Sequence, residues 1–175
     1  MFKNLLKVII GLLSKSMNYE NFRFDLKQRE SSNNYKSVNS LGYLGAYQFG
    51  MARLSDFGLT KRIEGTTSME NKDFEWSNGY SKDIFLNDDC LQDNIFDKHI
   101  DNLILQLKNL SLLKYIDFTI GGVKITLSGL LAGCHLGGIG SVKTFLLTGL
   151  SKKDNYETSI IEYIKLFSGY DIYNK

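Results

Sequence analysis

The chain contains no proline, and only two cysteines and two histidines among its 175 residues. Without proline, no turn is fixed by a locked φ and no helix is stopped by a missing N–H. Glycine, with 16 copies, must therefore punctuate the fold. Two cysteines, Cys90 and Cys134, are too few for a disulfide framework. They lack metal-ligand spacing, and only His99 and His135 are there to join them. No metal centre is expected, and both thiols are expected to be buried. Charge of one sign is also lacking: 21 basic residues stand against 19 acidic ones, a formal net charge of +2. No Lys/Arg run or stripe appears, so nucleic acid is excluded as the expected partner.

The N-terminus offers no long apolar run either. Residues 1–16 read MFKNLLKVIIGLLSKS, a basic start followed by an apolar stretch broken by Lys7. That stretch is too short to span a bilayer, and no small-x-small cleavage site follows it. It reads as an export signal, an anchor or a docking helix, with Leu5, Val8, Ile9, Leu12 and Leu13 on one face. Any membrane contact is expected through this segment alone. The folded domain is expected over residues 17–175.

What is present is helical periodicity and enough apolar residues, 43%, for one core. No internal repeat or low-complexity linker divides the chain. A first helix is predicted over residues 18–30, capped by Asn18, with Tyr19, Phe22 and Leu26 on one stripe. The turn Gly42-Tyr43-Leu44-Gly45 leads to a second helix carrying Tyr47, Met51 and Leu54 and closed by Gly58. Residues 60–82 read as an irregular polar excursion around Trp76. The longest helix is predicted over 89–110, with His99 on its apolar face as a satisfied core residue. Residues 118–125 alternate around Gly121-Gly122 and suggest a small hairpin. Three shorter helices follow, over about 126–135, 140–148 and 158–167, ended by Gly137-Gly138, Gly149 and Gly169.

Glu30 is the carboxylate that stands out. It is the next step on the 19-22-26 stripe, so its side chain should face the protein body. It also ends its helix, where the macrodipole is negative. Burial and a negative dipole end both disfavour the ionised form. A carboxylic acid kept protonated near neutral pH is what a general acid at a glycosidic oxygen requires. The alternative is a solvated glutamate at a helix end.

Separated segments around Glu30 carry a family resemblance. Arg29-Glu30-Ser31-Ser32-x-Asn34-Tyr35, followed by Leu41-Gly42-Tyr43-Leu44-Gly45-Ala46-Tyr47-Gln48-Phe49-Gly50, resembles the opening of a soluble lytic transglycosylase of the SLT-like type. It looks closest to a phage-associated branch of the lysozyme-like superfamily. In that family an E-S pair ends a helix and a G-L-M-Q-like segment follows. Gly45-Ala46-Tyr47-Gln48-Phe49 resembles the second element. The third, A-Y-N-x-G-x-G-x-V, has a degenerate counterpart in Cys134-His135-Leu136-Gly137-Gly138-Ile139-Gly140-Ser141-Val142. The segment TSIIEYIKLFSGY, residues 158–170, also looks like this branch, with Tyr163 where the family often has a site-lining tyrosine. Tyr47-Gln48-Phe49 departs from the usual L-M-Q, and His135-Leu136 replaces the usual Tyr-Asn. The resemblance spans residues 18–172.

The resemblance implies a mainly α, lysozyme-like single domain with a small hairpin beside a cleft. It implies cleavage of the MurNAc–GlcNAc bond of peptidoglycan, with 1,6-anhydro-MurNAc formed and no cofactor. Glu30 would be the catalytic residue, acting as acid and then as base. Ser31, Tyr47, Gln48, His135, Gly138 and Tyr163 would bind substrate. The expected partner is peptidoglycan, with an inhibitor protein or a secretion or tail-assembly protein as further possibilities. The expected location is the bacterial envelope, or delivery by a phage or secretion apparatus. Two rivals remain open. One is a goose-type muramidase that uses water, for which Asp56 is the candidate second carboxylate. The other is a non-catalytic wall-binding or assembly protein on the same fold.

Overall fold

The computed structural model of the chain describes residues 17–151 and 159–173. The expectations for residues 1–16 and for the start of the 158–167 helix lie outside the described residues. The described fold is mainly α with two short hairpins. Helix α1 spans Tyr19–Ser31, α2 Met51–Ser55, α3 Lys82–Leu86, α4 Asp89–Asn109, α5 Leu127–Thr148 and α6 Ile160–Leu166. Strands β1 (Thr60–Arg62) and β2 (Phe74–Trp76) pair antiparallel, with Thr60 opposite Trp76. Strands β3 (Thr119–Ile120) and β4 (Val123–Lys124) form the hairpin expected around Gly121-Gly122, both at positive φ.

Short polar side chains start the helices, as an N-terminus with orphan N–H groups demands. Asn18 caps α1, Ser81 α3, Asp88 α4 and Thr126 α5. Ser159 and Glu162 close a reciprocal capping box on α6. Helix α1 stops at Ser32, which adopts the left-handed conformation; its N–H donates to the Gln28 carbonyl, and the Asn33 N–H donates to that of Lys27.

Two expectations need correction. The second helix begins at Met51, because Gln48 turns left-handed and Tyr47 lies in the preceding turn. Residues 60–82 are not irregular throughout, since β1 and β2 form there. The helices expected on either side of Gly137-Gly138 are present: α5 is two helical stretches that meet across a kink at Gly138 (φ 75°, ψ 161°). Only the residue at the break leaves helical geometry, so the axis kinks without a loop. By length and composition α5 is apolar enough to cross a membrane. Leu130, Leu131, Ala132 and Phe145 of α5 lie fully buried in the core.

The core is aromatic. Phe22 of α1 meets Phe96 of α4, and Phe167 and Tyr170 edge-on from the C-terminal segment. Complete burial of side chains such as Phe22, Leu26, Phe96 and Leu103 is worth about 1.5–3 kcal/mol each. Phe96 also stacks on Tyr47 and meets His135 edge-on, which ties α4 to the 45–48 turn and to α5.

Candidate active site

Glu30 sits half-buried in the last turn of α1. The phenol of Tyr163, on α6, donates a hydrogen bond to its Oε1 at 2.8 Å. Tyr163 is 4% exposed, and its phenol is pushed far above the ordinary tyrosine range. Burial is the largest cause, and the nearby Glu30 charge adds to it. Tyr163 therefore stays a proton-bearing donor across the physiological range.

What brings Tyr163 there is a glycine stripe on α5. Gly129, Gly133 and Gly137 recur every four residues and face α6. A Cβ on Gly129 would fall 2.5 Å from the Ile164 carbonyl oxygen, and one on Gly137 2.6 Å from Ile160 Cδ1. Only hydrogen at these positions lets α6 come down to backbone contact.

The turn that resembles the family's second element is held on every side. Gln48 has φ 51°, which costs a non-glycine residue about 1–2 kcal/mol. Its Nε2 donates back to the Gly45 carbonyl at 2.8 Å. Ala46 N–H donates to Gln92 Oε1 at 2.9 Å, and the Ala46 carbonyl accepts from the Ser31 hydroxyl at 2.9 Å. Gly45 has φ 75°, and a Cβ there would stand 2.1 Å from Gln92 Oε1. Glycine is required twice over, by conformation and by space. Gln92 is itself completely buried and donates to the Tyr35 and Phe85 carbonyls. An unfavourable backbone angle persists only where its surroundings over-determine it, and such places cluster at functional sites.

Two expected substrate-binding residues are corrected here. Tyr47 is 0% exposed, stacks on Phe96 at 4.0 Å between centroids, and donates its hydroxyl to Asp93 at 2.7 Å. It has no face left for a sugar. Ser31 spends its hydroxyl on Ala46 and accepts from the Asn34 N–H at 3.1 Å. It ties the end of α1 to the turn and does not reach for a ligand.

Gln48, His135 and Gly138 do converge, on a pocket of about 350 Å³ that Arg53, Asp56 and Asn71 also line. Glu30 and Tyr163 are not among its lining residues. The 45–48 turn joins the two parts: Ser31, beside Glu30, holds Ala46, and Gln48 two residues later faces the pocket. Asp56 stands at the pocket wall, 46% exposed at its side chain and paired with Arg53 at 2.6 Å. Among the described residues no three His, Cys, Asp or Glu side chains gather as metal ligands would.

His135 is less open to substrate than expected. Its Nε2 lies 2.9 Å from the Tyr47 carbonyl oxygen, and its Nδ1 lies 3.2 Å from His99 Nε2. Burial lowers its pKa to about 4 and drives that of His99 down as well, so both rings are neutral. His99 is core, as expected, but not satisfied: its Nδ1 is buried without a partner. Cys134 is buried, its thiol pushed up to about 12. Cys90, expected buried, is exposed on the first turn of α4.

Sequence reasoning missed Gln92, the glycine stripe and Asp93. Asp93 accepts from Arg23 at 2.6 Å and from the hydroxyls of Tyr47 and Tyr35 at 2.7 and 2.9 Å. The signals were present. Gln92 interrupts the apolar stripe of α4 at helical spacing, and the glycines recur four apart. No family model, no characterised protein and no solved structure matches the chain.

Proposed function

We propose that this protein is a lytic transglycosylase with a lysozyme-like fold that cleaves the glycan strands of peptidoglycan. One observation carries the reading. Glu30 and Tyr163, 133 residues apart and singled out by separate segments of the resemblance, meet in a hydrogen bond. In the reaction, Glu30 protonates the oxygen joining MurNAc to GlcNAc, and the bond from that oxygen to MurNAc C1 breaks. The carboxylate then takes the proton of the MurNAc C6 hydroxyl, whose oxygen bonds to C1 and closes the anhydro ring. No water is consumed, and one carboxyl group serves both steps. Tyr163 holds Glu30 in orientation and stabilises the carboxylate left by the first step. Gln48 and Gly138, at the pocket, take up an adjoining sugar.

A second reading has its own support. Asp56 lies at the wall of the pocket and is the carboxylate there that could activate water in a muramidase. Its ion pair with Arg53 and its exposure favour a surface charge instead. Mass spectrometry of digested peptidoglycan separates the two: anhydro-MurNAc ends are expected, and reducing ends would favour water. Glu30→Gln should lower the rate by roughly 10² to 10⁴ while leaving the melting temperature unchanged or higher. Full activity in folded Glu30→Gln would overturn the reading.

A further inference from the structure

We propose that His99 is a positioning residue: acting through His135, it holds the carbonyl of Tyr47 and thereby fixes the turn that presents Gln48 to the pocket. Its consequence for substrate rests on the glycan-cleavage reading; its structural content does not.

The Tyr47 carbonyl oxygen accepts and cannot donate, so the proton it meets at 2.9 Å is on His135 Nε2. A neutral imidazole carries one N–H. His135 Nδ1 is therefore a bare lone pair, and the nitrogen 3.2 Å from it, His99 Nε2, must donate. That leaves His99 Nδ1 as a lone pair with no partner, in a residue 1% exposed. The other tautomer of His99 would set two lone pairs against each other and bury an unpaired N–H. The observed geometry thus selects a single proton order, running from His99 to His135 to the Tyr47 carbonyl.

The rings are held where this order works. Phe49 meets both imidazoles edge-on at 5.8 Å between centroids. Phe96 closes on His135 from another direction, also at 5.8 Å. The carbonyl that receives the last bond belongs to the peptide joining Tyr47 to Gln48. Its orientation is coupled to the φ of Gln48, the angle that lies in the left-handed region. A buried acceptor without a partner is uncommon in a folded protein and calls for a physical reason. A leucine would fill the same core position without that cost, so packing alone does not account for His99.

The test uses full-length protein labelled with ¹⁵N-histidine. The wild type should show the proton of His135 on Nε2. His99→Gln carries an N–H to nearly the same place and should retain that tautomer. His99→Leu carries none. In it His135 should populate the other tautomer, and hydrogen exchange at the Gln48 amide should quicken. On peptidoglycan, His99→Leu should raise KM several-fold with kcat largely kept, and His99→Gln should stay near wild type. A wild-type His135 protonated on Nδ1 overturns the proposal, and that reading needs no variant to fold. So does a folded His99→Leu with an unchanged tautomer and Gln48 amide, or equal disturbance by both variants. If wild type fails to cleave peptidoglycan but shows the expected tautomers and variant responses, the glycan reading falls and the positioning role stands.

Discussion

Two side chains of the candidate site are fixed by opposite means. Gln48 is held by hydrogen bonds: the carbonyls and N–H groups of its turn are engaged by Ser31, Gln92, His135 and its own amide. Tyr163 is held by apolar contact: three glycines on α5 let α6 approach until Ile160 and Ile164 touch the helix surface. The polar turn sustains an unfavourable backbone angle that packing alone would not enforce. The glycine interface needs no strained backbone on α6, only the absence of three methyl groups. A polar device fails when one partner is removed, because a buried group is stranded. A packing device fails when something is added.

Removing the centre of the polar device should have the largest effect. Gln92→Leu strands the Ala46 N–H, removes the side-chain donor of the Tyr35 carbonyl and leaves the Phe85 carbonyl with only the long bond from the Asp88 N–H. At about 1–3 kcal/mol for each buried unpaired group, stability should fall by roughly 3 kcal/mol or more, read by denaturant melts. A loss below about 1 kcal/mol would show that water replaces the glutamine and that the turn is not held as described.

Acid should attack the same device through the histidines. Both are neutral when folded, His135 with a pKa near 4, whereas an unfolded histidine titrates near 6.5. The stability they contribute is complete above pH 6.5. It is lost as the unfolded chain takes up protons below that value; the part due to His135 levels off near pH 4, where the folded residue also protonates. A decline of up to about 3 kcal/mol is expected from His135 over this window. The decline should be shallower in a double variant with glutamine at 99 and 135. An identical slope in that variant would remove the histidines from the account.

The packing device should break by addition. Gly129→Ala places a methyl 2.5 Å from a backbone oxygen, which cannot swing aside as a side chain would. A loss of about 1–3 kcal/mol is expected. The rate on peptidoglycan should fall with it, as Tyr163 moves off Glu30. Unchanged activity with lowered stability would separate the packing of α6 from the chemistry.

The smallest stability change should come from Gln48→Gly. Relief of the left-handed angle, about 1 kcal/mol, offsets loss of the bond to Gly45, of similar size. Melting should shift little while affinity for glycan fragments drops. A large destabilisation would mean that Gln48 serves the fold and not the pocket.

Much of this protein can be read along the chain. The stripe 19-22-26-30, the Asn18 cap and the polar Ser31-Ser32-Asn33 stop are local signals, and α1 follows them to within a residue. The apolar period of α4 and the Gly121-Gly122 hairpin are of the same kind. The β1–β2 pair was not legible, because its strands of three residues are too short for alternation to show. Tyr47 misled for a related reason. A tyrosine beside a site motif has the same sequence signature whether its ring faces a ligand or stacks on Phe96, and Asp93, which takes its hydroxyl, lies 46 residues away.

By itself the sequence determined α1 with its Asn18 cap, the apolar period of α4, the Gly121-Gly122 hairpin and the break at Gly137-Gly138. These depend on neighbours within about one turn, where spacing along the chain is spacing in space. The tertiary structure alone decided that Tyr163 reaches Glu30, that Ser31 and Tyr47 serve the fold, and that two histidines pass one proton order to a strained turn. Each of those depends on residues 15 to 133 positions apart. Their distance is set by how closely helices pack, and no local propensity encodes it.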